Sequence, residues 1–262
     1  MSTRSTGPAT TTEQTVNRVA FAFEKTGRAR FLGHRDVMRH FQRAARRGGV
    51  PVAYSQGFNP HPRMTFASPL PLGASGFREL GAFDLSAPMD PGELPKRLNP
   101  HFPDGLRVLE SWEVPAGRGT FGSRIESHWR VRVQPVERAV LDAEKLRQAV
   151  EELLRSDMLE VSRREGETRN VRELLLDAAL VQAQDEGGRE AVLEMVLLQM
   201  GDLSAKPQDV VAALQKWARP LEIVSLERLA IVTENCNLCE VPRPRQGLER
   251  TAGGCSESGE RR

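Results

Sequence analysis

Apolar and polar residues alternate along the first patterned stretch of the chain. Val19, Phe21 and Phe23 stand at every second position, with Arg18, Ala20 and Ala22 between them, and this period of two predicts a β-strand. Lys25-Thr26-Gly27-Arg28 then reads as a turn. From His34 to Arg47 the period lengthens. Val37, Met38, Phe41 and Ala45 share one face of a helix that Gly48-Gly49 ends. A Pro-rich stretch from Pro51 to Gly73 holds a short strand, Met64 to Ala67. Residues 79–86 form another strand. Asp90-Pro91 opens a short helix, because Asp suits the N-cap and Pro the first helical position. Leu106 to Val114 is again a strand.

The same order returns further on. His128 to Val133 alternates as a strand. Asp142 caps a helix running to about Arg155, with Leu146, Val150, Leu153 and Leu154 on one face. Met158 to Arg163 is a strand, and Val171 to Gln182 a helical turn leading into a strand. Ala191 to Met200 is strand-like, Lys206-Pro207 starts a helix through Trp217, and Leu221 to Val232 is a strand. Matching elements of the two halves lie 108 to 116 residues apart. This repetition predicts an α+β fold of two tandem ferredoxin-like β-α-β-β-α-β units, over 17–117 and 118–235. The ends, 1–16 and 236–262, carry too few apolar side chains to offset the entropy of ordering and read as disordered tails.

Composition changes this picture in one respect. The 262 residues hold 37 basic and 35 acidic side chains, a net charge of +2 that excludes a uniformly basic nucleic-acid coat protein. The charge is unevenly placed. Residues 17–66 hold ten basic and two acidic residues, +8, which leaves −6 for the rest. Arg35, Arg39, Arg43 and Arg46 follow helical spacing and line one helix face, with Arg28, Arg30 and Arg63 nearby in sequence. A row of cations repels itself, and phosphate relieves that repulsion, so this segment is the expected RNA-binding surface. A solvated face paired with the acidic second half is the competing reading.

Residues 54–63 follow the basic helix. Prolines stiffen the backbone here and Gly57 supplies conformational freedom. Tyr54, Ser55, Gln56, Gly57, Phe58, Asn59 and His61 form a dense polar and aromatic set, suited to stacking bases or contacting a partner. His34, Asp36 and His61 are the candidate acid–base groups. His34, Asp36, His40 and His61 make a poor metal set, and an Asp36–His40 pair at helical spacing is expected instead.

Of three cysteines, Cys236 and Cys239 form a CxxC pair that lacks the further ligands of a closed zinc site, and Cys255 follows in the tail. A disulfide framework is not expected, and a reducing cytoplasm is. No stretch approaches ~18 consecutive apolar residues, so no membrane span is expected. The chain has no P-loop, GxGxxG, GxSxG or CxxxCxxC motif, and no cofactor is expected on it.

The run GRARFLGHRDVMRHFQRAARRGGVPVAYSQGFNPHPRMTFASPLPLG resembles the radical SAM-associated (radical SAM-linked) protein family, a domain of unknown function. The matching blocks are Lys25-Thr26-Gly27 with Phe31, His34 with Asp36, Phe41 with Arg43 and Ala44, and Tyr54 through Pro62. Ala67 and Leu70-Pro71-Leu72-Gly73 complete them. The similarity covers about residues 17–235, and GASGFRELGAF stands where the family usually has an acidic stretch. The resemblance implies a partner of a radical SAM protein, fused to it or encoded beside it, often among translational genes. The iron–sulfur cluster and SAM are then expected on that partner, and with the basic window beside the 54–63 loop the expected RNA is tRNA or rRNA. It implies no catalytic residue. The duplicated architecture is also similar in outline to tRNA pseudouridine synthases, by analogy of fold alone. Three functions follow: a non-catalytic RNA-binding partner, an RNA-modifying enzyme using His34, Asp36 and His61, or a structural subunit docking through the 54–63 loop.

Overall fold

The computed structural model describes residues 17–114, 120–137, 140–162, 168–183 and 188–234. Both expected tails, with Cys236, Cys239 and Cys255, lie outside the described residues. The first half contains β1 (Asn17–Lys25), α1 (His34–Arg47), β2 (Met64–Phe66), β3 (Ser75–Leu85), α2 (Leu94–Leu98) and β4 (Leu106–Val114). The second contains β5 (Arg124–Pro135), α3 (Ala143–Arg155), β6 (Glu160–Ser162), β7 (Thr168–Asn170), β8 (Leu175–Ala183), β9 (Ala191–Met200), β10 (Leu203–Ser204), α4 (Pro207–Leu214) and β11 (Leu221–Thr233). The fold is α+β. Nine strands form one mixed sheet, and β6 and β7 pair separately.

Along the sheet the order is β10-β9-β5-β11-β3-β1-β4, with β2 joined to β3 and β8 to β9. Within the first half the neighbours run β4, β1, β3, β2, and within the second β11, β5, β9, β8, all antiparallel. A parallel pairing joins the halves, Glu227 opposite Ser75 and Arg228 opposite Gly76. β2 pairs with the other end of β3, Met64 opposite Phe83.

The helices cover one face of the sheet. Alternation along β1 sends Val19, Phe21 and Phe23 toward α1 and α2, where they bury against Phe41, Phe83, Leu94 and Leu98. Phe21 and Phe41 stack at 5.1 Å between ring centroids. Gly81 is small because a Cβ there would stand 2.5 Å from the Phe21 ring. Ala20 and Ala22 face the other way, against Leu80, Ala82, Phe121, Ile125 and Ile231, so β1 is covered on both faces. In the second half Leu146, Ala149, Val150 and Leu153 of α3, with Val210, Val211 and Leu214 of α4, bury against Trp129, Val131, Val133, Leu193 and Met195. Among the described residues no helix is long and apolar enough to cross a membrane.

Candidate nucleic-acid interface

Helix α1 builds the centre of this surface. Gly33 precedes it without a side-chain cap, and Asp36 in the first turn complements the helix dipole. Its end lies close against α2. A Cβ on Gly48 would meet the Arg97 carbonyl, and Arg97 Nη1 donates to the Gly49 carbonyl at 3.0 Å. Burial of Val37, Phe41, Ala44 and Ala45 against the sheet leaves Arg35, Arg39, Arg43, Arg46 and Arg47 exposed on the solvent side. Asp36 accepts from Arg39 Nη1 at 3.3 Å. His40 Nδ1 lies 3.5 Å from Arg43 Nη2. The expected Asp36–His40 pair is therefore replaced by one interaction each with an arginine three residues on. Burial, and then the Arg43 charge, hold the His40 pKa below its ordinary value, against an opposing pull from Asp36. A shallow depression of about 460 Å³ runs along this face, lined by Leu32, Asp36, Arg39, His40, Gln42 and Arg43.

Among the described residues no carboxylate of the second half lies within ion-pair distance of this row. Carboxylates there meet arginines of their own half: Glu194 with Arg130 at 2.7 Å, Glu190 with Arg132 at 3.2 Å, and Glu151 and Glu152 with Arg155 at 3.1 and 2.8 Å. Among the described residues Arg35, Arg46 and Arg47 have no carboxylate partner within ion-pair distance. Arg63 differs from the expectation. Its Nη2 stands 2.9 Å from Asp84 Oδ2, and Arg18 Nε holds the other oxygen of that carboxylate at 2.6 Å. Arg63 is thus a partly neutralised cation beside the sheet.

The expected loop after α1 is a hairpin. Ala53 N donates to the Asp84 carbonyl and Arg63 N to the Ala53 carbonyl, both at 2.8 Å. Tyr54 bridges to Pro62. Ser55 N donates to the His61 carbonyl at 2.9 Å, and His61 N donates to Ser55 Oγ at 3.0 Å. Gln56, Gly57, Phe58, Asn59 and Pro60 form an exposed tip, with Gly57 at a φ of 134°. Phe58 is fully exposed and Tyr54 half exposed.

The three acid–base candidates have different partners. His34 stands edge-on to the Phe66 ring at 5.7 Å between centroids, Asp36 accepts from Arg39, and His61 serves the hairpin through its backbone. Among the described residues no three His, Cys, Asp or Glu side chains form a metal-holding group.

Sequence reasoning missed a buried charge cluster between the halves. Glu79 and Arg228 are each 2% exposed. Arg228 Nε donates to Glu79 Oε1 at 2.8 Å, and Nη2 donates both to Glu79 Oε2 and, at 3.0 Å, to the Ser68 carbonyl. The guanidinium also lies 5.2 Å from the Trp129 ring centroid. Lys25, equally buried, donates from Nζ to the carbonyls of Arg30 at 3.3 Å and Leu32 at 3.1 Å. Desolvation lowers its pKa, Glu79 opposes that, and Arg228 adds to it. Lys25 thereby anchors the turn carrying Arg28, Arg30 and Phe31. Glu79 and Arg228 are 149 positions apart, so no local pattern announces them.

An α+β protein built on one mixed sheet, with an arginine-rich helix face poor in acids, is the class these features define. The chain belongs to the family described as "Uncharacterized protein conserved in bacteria (DUF2344)", whose model matches residues 18–207. No curated protein matches it. Among solved structures, an H/ACA RNP bound to a substrate RNA containing 2′-deoxyuridine is similar at 9% identity and a TM-score of 0.44, over 82% of this chain and 47% of that one. An archaeal box H/ACA sRNP Nop10–Cbf5 complex is similar at 9% identity and a TM-score of 0.46, over 82% and 48%. A Cbf5–Nop10–Gar1 complex gives 8%, 0.46, 80% and 47%. The chain spans about half the length of these chains.

Proposed function

We propose that this protein is a non-catalytic RNA-binding partner of a radical SAM enzyme, acting in tRNA or rRNA modification. The observation that carries the RNA part is the α1 face. Arg35, Arg39, Arg43, Arg46 and Arg47 stand exposed along it, and Asp36 is its sole acid. Several cations without local counter-ions are held at a standing electrostatic cost that a phosphate backbone removes. The radical SAM part rests on the sequence blocks from Lys25 to Gly73, the Tyr54–Pro62 block above all. The cluster and SAM reside on the partner. The fold is best understood as two tandem ferredoxin-like units sharing a sheet, and the matching strand orders of the halves support this.

The test is RNA binding by the purified protein and by an Arg35/Arg39/Arg43 triple alanine variant. Loss of affinity in the variant is expected, and unchanged binding refutes the helix assignment. The fully exposed Phe58 favours a second reading of the hairpin as the docking point for the radical SAM protein. Copurification that survives nuclease treatment and fails in Phe58→Ala supports it. No hydrogen bond among the described residues joins His34, Asp36 and His61, and the enzymatic alternative draws no support from their geometry.

A further inference from the structure

We propose that Phe31, with Arg30 and Arg28 beside it, is a base-stacking subsite that selects unpaired nucleotides, so the RNA bound on this face is single-stranded. This deepens the RNA-binding reading above and rests on it. Phe31 is 60% exposed, a large apolar ring turned to water in a structured turn. Covering such a ring with a base removes apolar surface from water and is favourable. The Arg30 guanidinium carbon lies over the Phe31 ring, 4.7 Å from its centroid, so a cation covers one face of the ring and a base would stack on the other. That combination suits a nucleotide, whose base stacks while its phosphate meets the charge.

The turn is held in place. The carbonyls on either side of Phe31, those of Arg30 and Leu32, both accept from the buried Lys25 ammonium. Leu32 N closes the turn on the Ala29 carbonyl at 2.9 Å, and Gly73 N donates to the Arg30 carbonyl at 3.0 Å. Thr26 N donates to the Gly105 carbonyl at 2.7 Å. Ala29 is buried while Arg28 and Arg30 on either side of it are exposed. The backbone that carries the ring is therefore pre-positioned, which limits the entropy lost when a base packs on it.

Charge around the ring points to the same occupant. Arg28, Arg30 and Arg35 have no carboxylate within ion-pair distance among the described residues, and α1 with its arginine row begins three residues after Phe31. In a duplex the bases are stacked on one another and their faces are closed to a protein ring, whereas unpaired bases present them.

The experiment measures anisotropy of a fluorescein-labelled oligouridylate and of a labelled RNA duplex on the full chain, across a salt series. Phe31→Ala is expected to weaken oligouridylate binding about 10- to 100-fold. Duplex binding and the salt slope should stay unchanged. Phe31→Leu, which keeps apolar bulk without a π face, should lose most of the same affinity. Phe31→Trp should retain it, with emission quenched as bases stack. Oligouridylate binding by Phe31→Ala equal to wild type overturns the stacking subsite and leaves the RNA reading standing, as does an equal loss on oligouridylate and duplex. Wild-type protein that binds neither RNA overturns both.

Discussion

Replacing Glu79 by Gln removes the carboxylate from a buried site that also holds Arg228 and Lys25. The three residues are each about 2% exposed, so little water is at hand to compensate. Glu79 accepts from two nitrogens of Arg228, and its charge raises the Lys25 pKa that burial and Arg228 lower. Breaking a buried ion pair from one side costs ~3–5 kcal/mol, because the remaining charge stays desolvated. Here two cations remain, and the upper part of that range is expected. At ~2–4 °C per kcal/mol for a chain of this size, the melting temperature should fall by roughly 10–20 °C. Arg228→Met leaves Glu79 with the Lys25 charge nearby as partial compensation, so it should cost less, ~2–3 kcal/mol for the lost charged hydrogen bonds. Urea unfolding is followed by circular dichroism and by tryptophan emission, since Trp129 lies against Arg228. The double variant should cost less than the two single losses added. A Glu79→Gln cost below ~1 kcal/mol, or an Arg228→Met cost exceeding it, refutes this account of the junction.

Three further outcomes follow from the same geometry. The His40 ring, held neutral below its ordinary pKa of 6.5 by burial and Arg43, gains its proton only as pH falls through that lowered value. Because protonation adds a cation to the α1 face, RNA affinity should rise on acidification, and His40→Gln should abolish the rise; a wild-type titration matching the variant counts against it. Arg63→Ala should change the salt dependence of RNA binding less than Arg35→Ala, because Asp84 already partly neutralises Arg63, whereas Arg35→Ala should reduce the slope by ~0.7 for each phosphate that Arg35 neutralises. Asp142 caps α3 by accepting from Lys145 N at 3.0 Å, and that hydrogen bond lowers its carboxyl pKa from 3.8. Its contribution is therefore present above that value and lost as pH falls through the lowered one, so Asp142→Ala should lower the melting temperature at neutral pH. The two proteins should converge in acid.

Much of the local structure is legible along the chain. β1, α1, β4, α3, β9 and β11 fall within a few residues of the segments their periodicity predicts, because each carries its own pattern and punctuation. Asp142 caps α3 as its residue type requires. Misses occur where the partner is distant. β3 begins at Ser75, before the expected residue 79, because its start pairs with Glu227 and Arg228 of β11. The strand expected from Met158 begins at Glu160, runs to Ser162 and pairs apart from the main sheet, and Arg163 lies outside the described residues. α4 ends at Leu214, short of Trp217, and continues as turns.

The candidate site divides along the same line. Helical spacing alone sets the arginine row, placing Arg35, Arg39, Arg43 and Arg46 opposite Val37, Phe41 and Ala45. Residue types alone mark Tyr54 to His61 as a rigid polar segment. Long-range packing settles that Arg63 pairs with Asp84 and that the 54–63 segment closes as a hairpin. It also decides that a lysine in an ordinary-looking turn is buried and holds the carbonyls on either side of Phe31. Periodicity reports which face of an element meets apolar surface. It carries no information about which charges, tens or hundreds of positions apart, are desolvated together, and that pairing sets both the junction and the turn it supports.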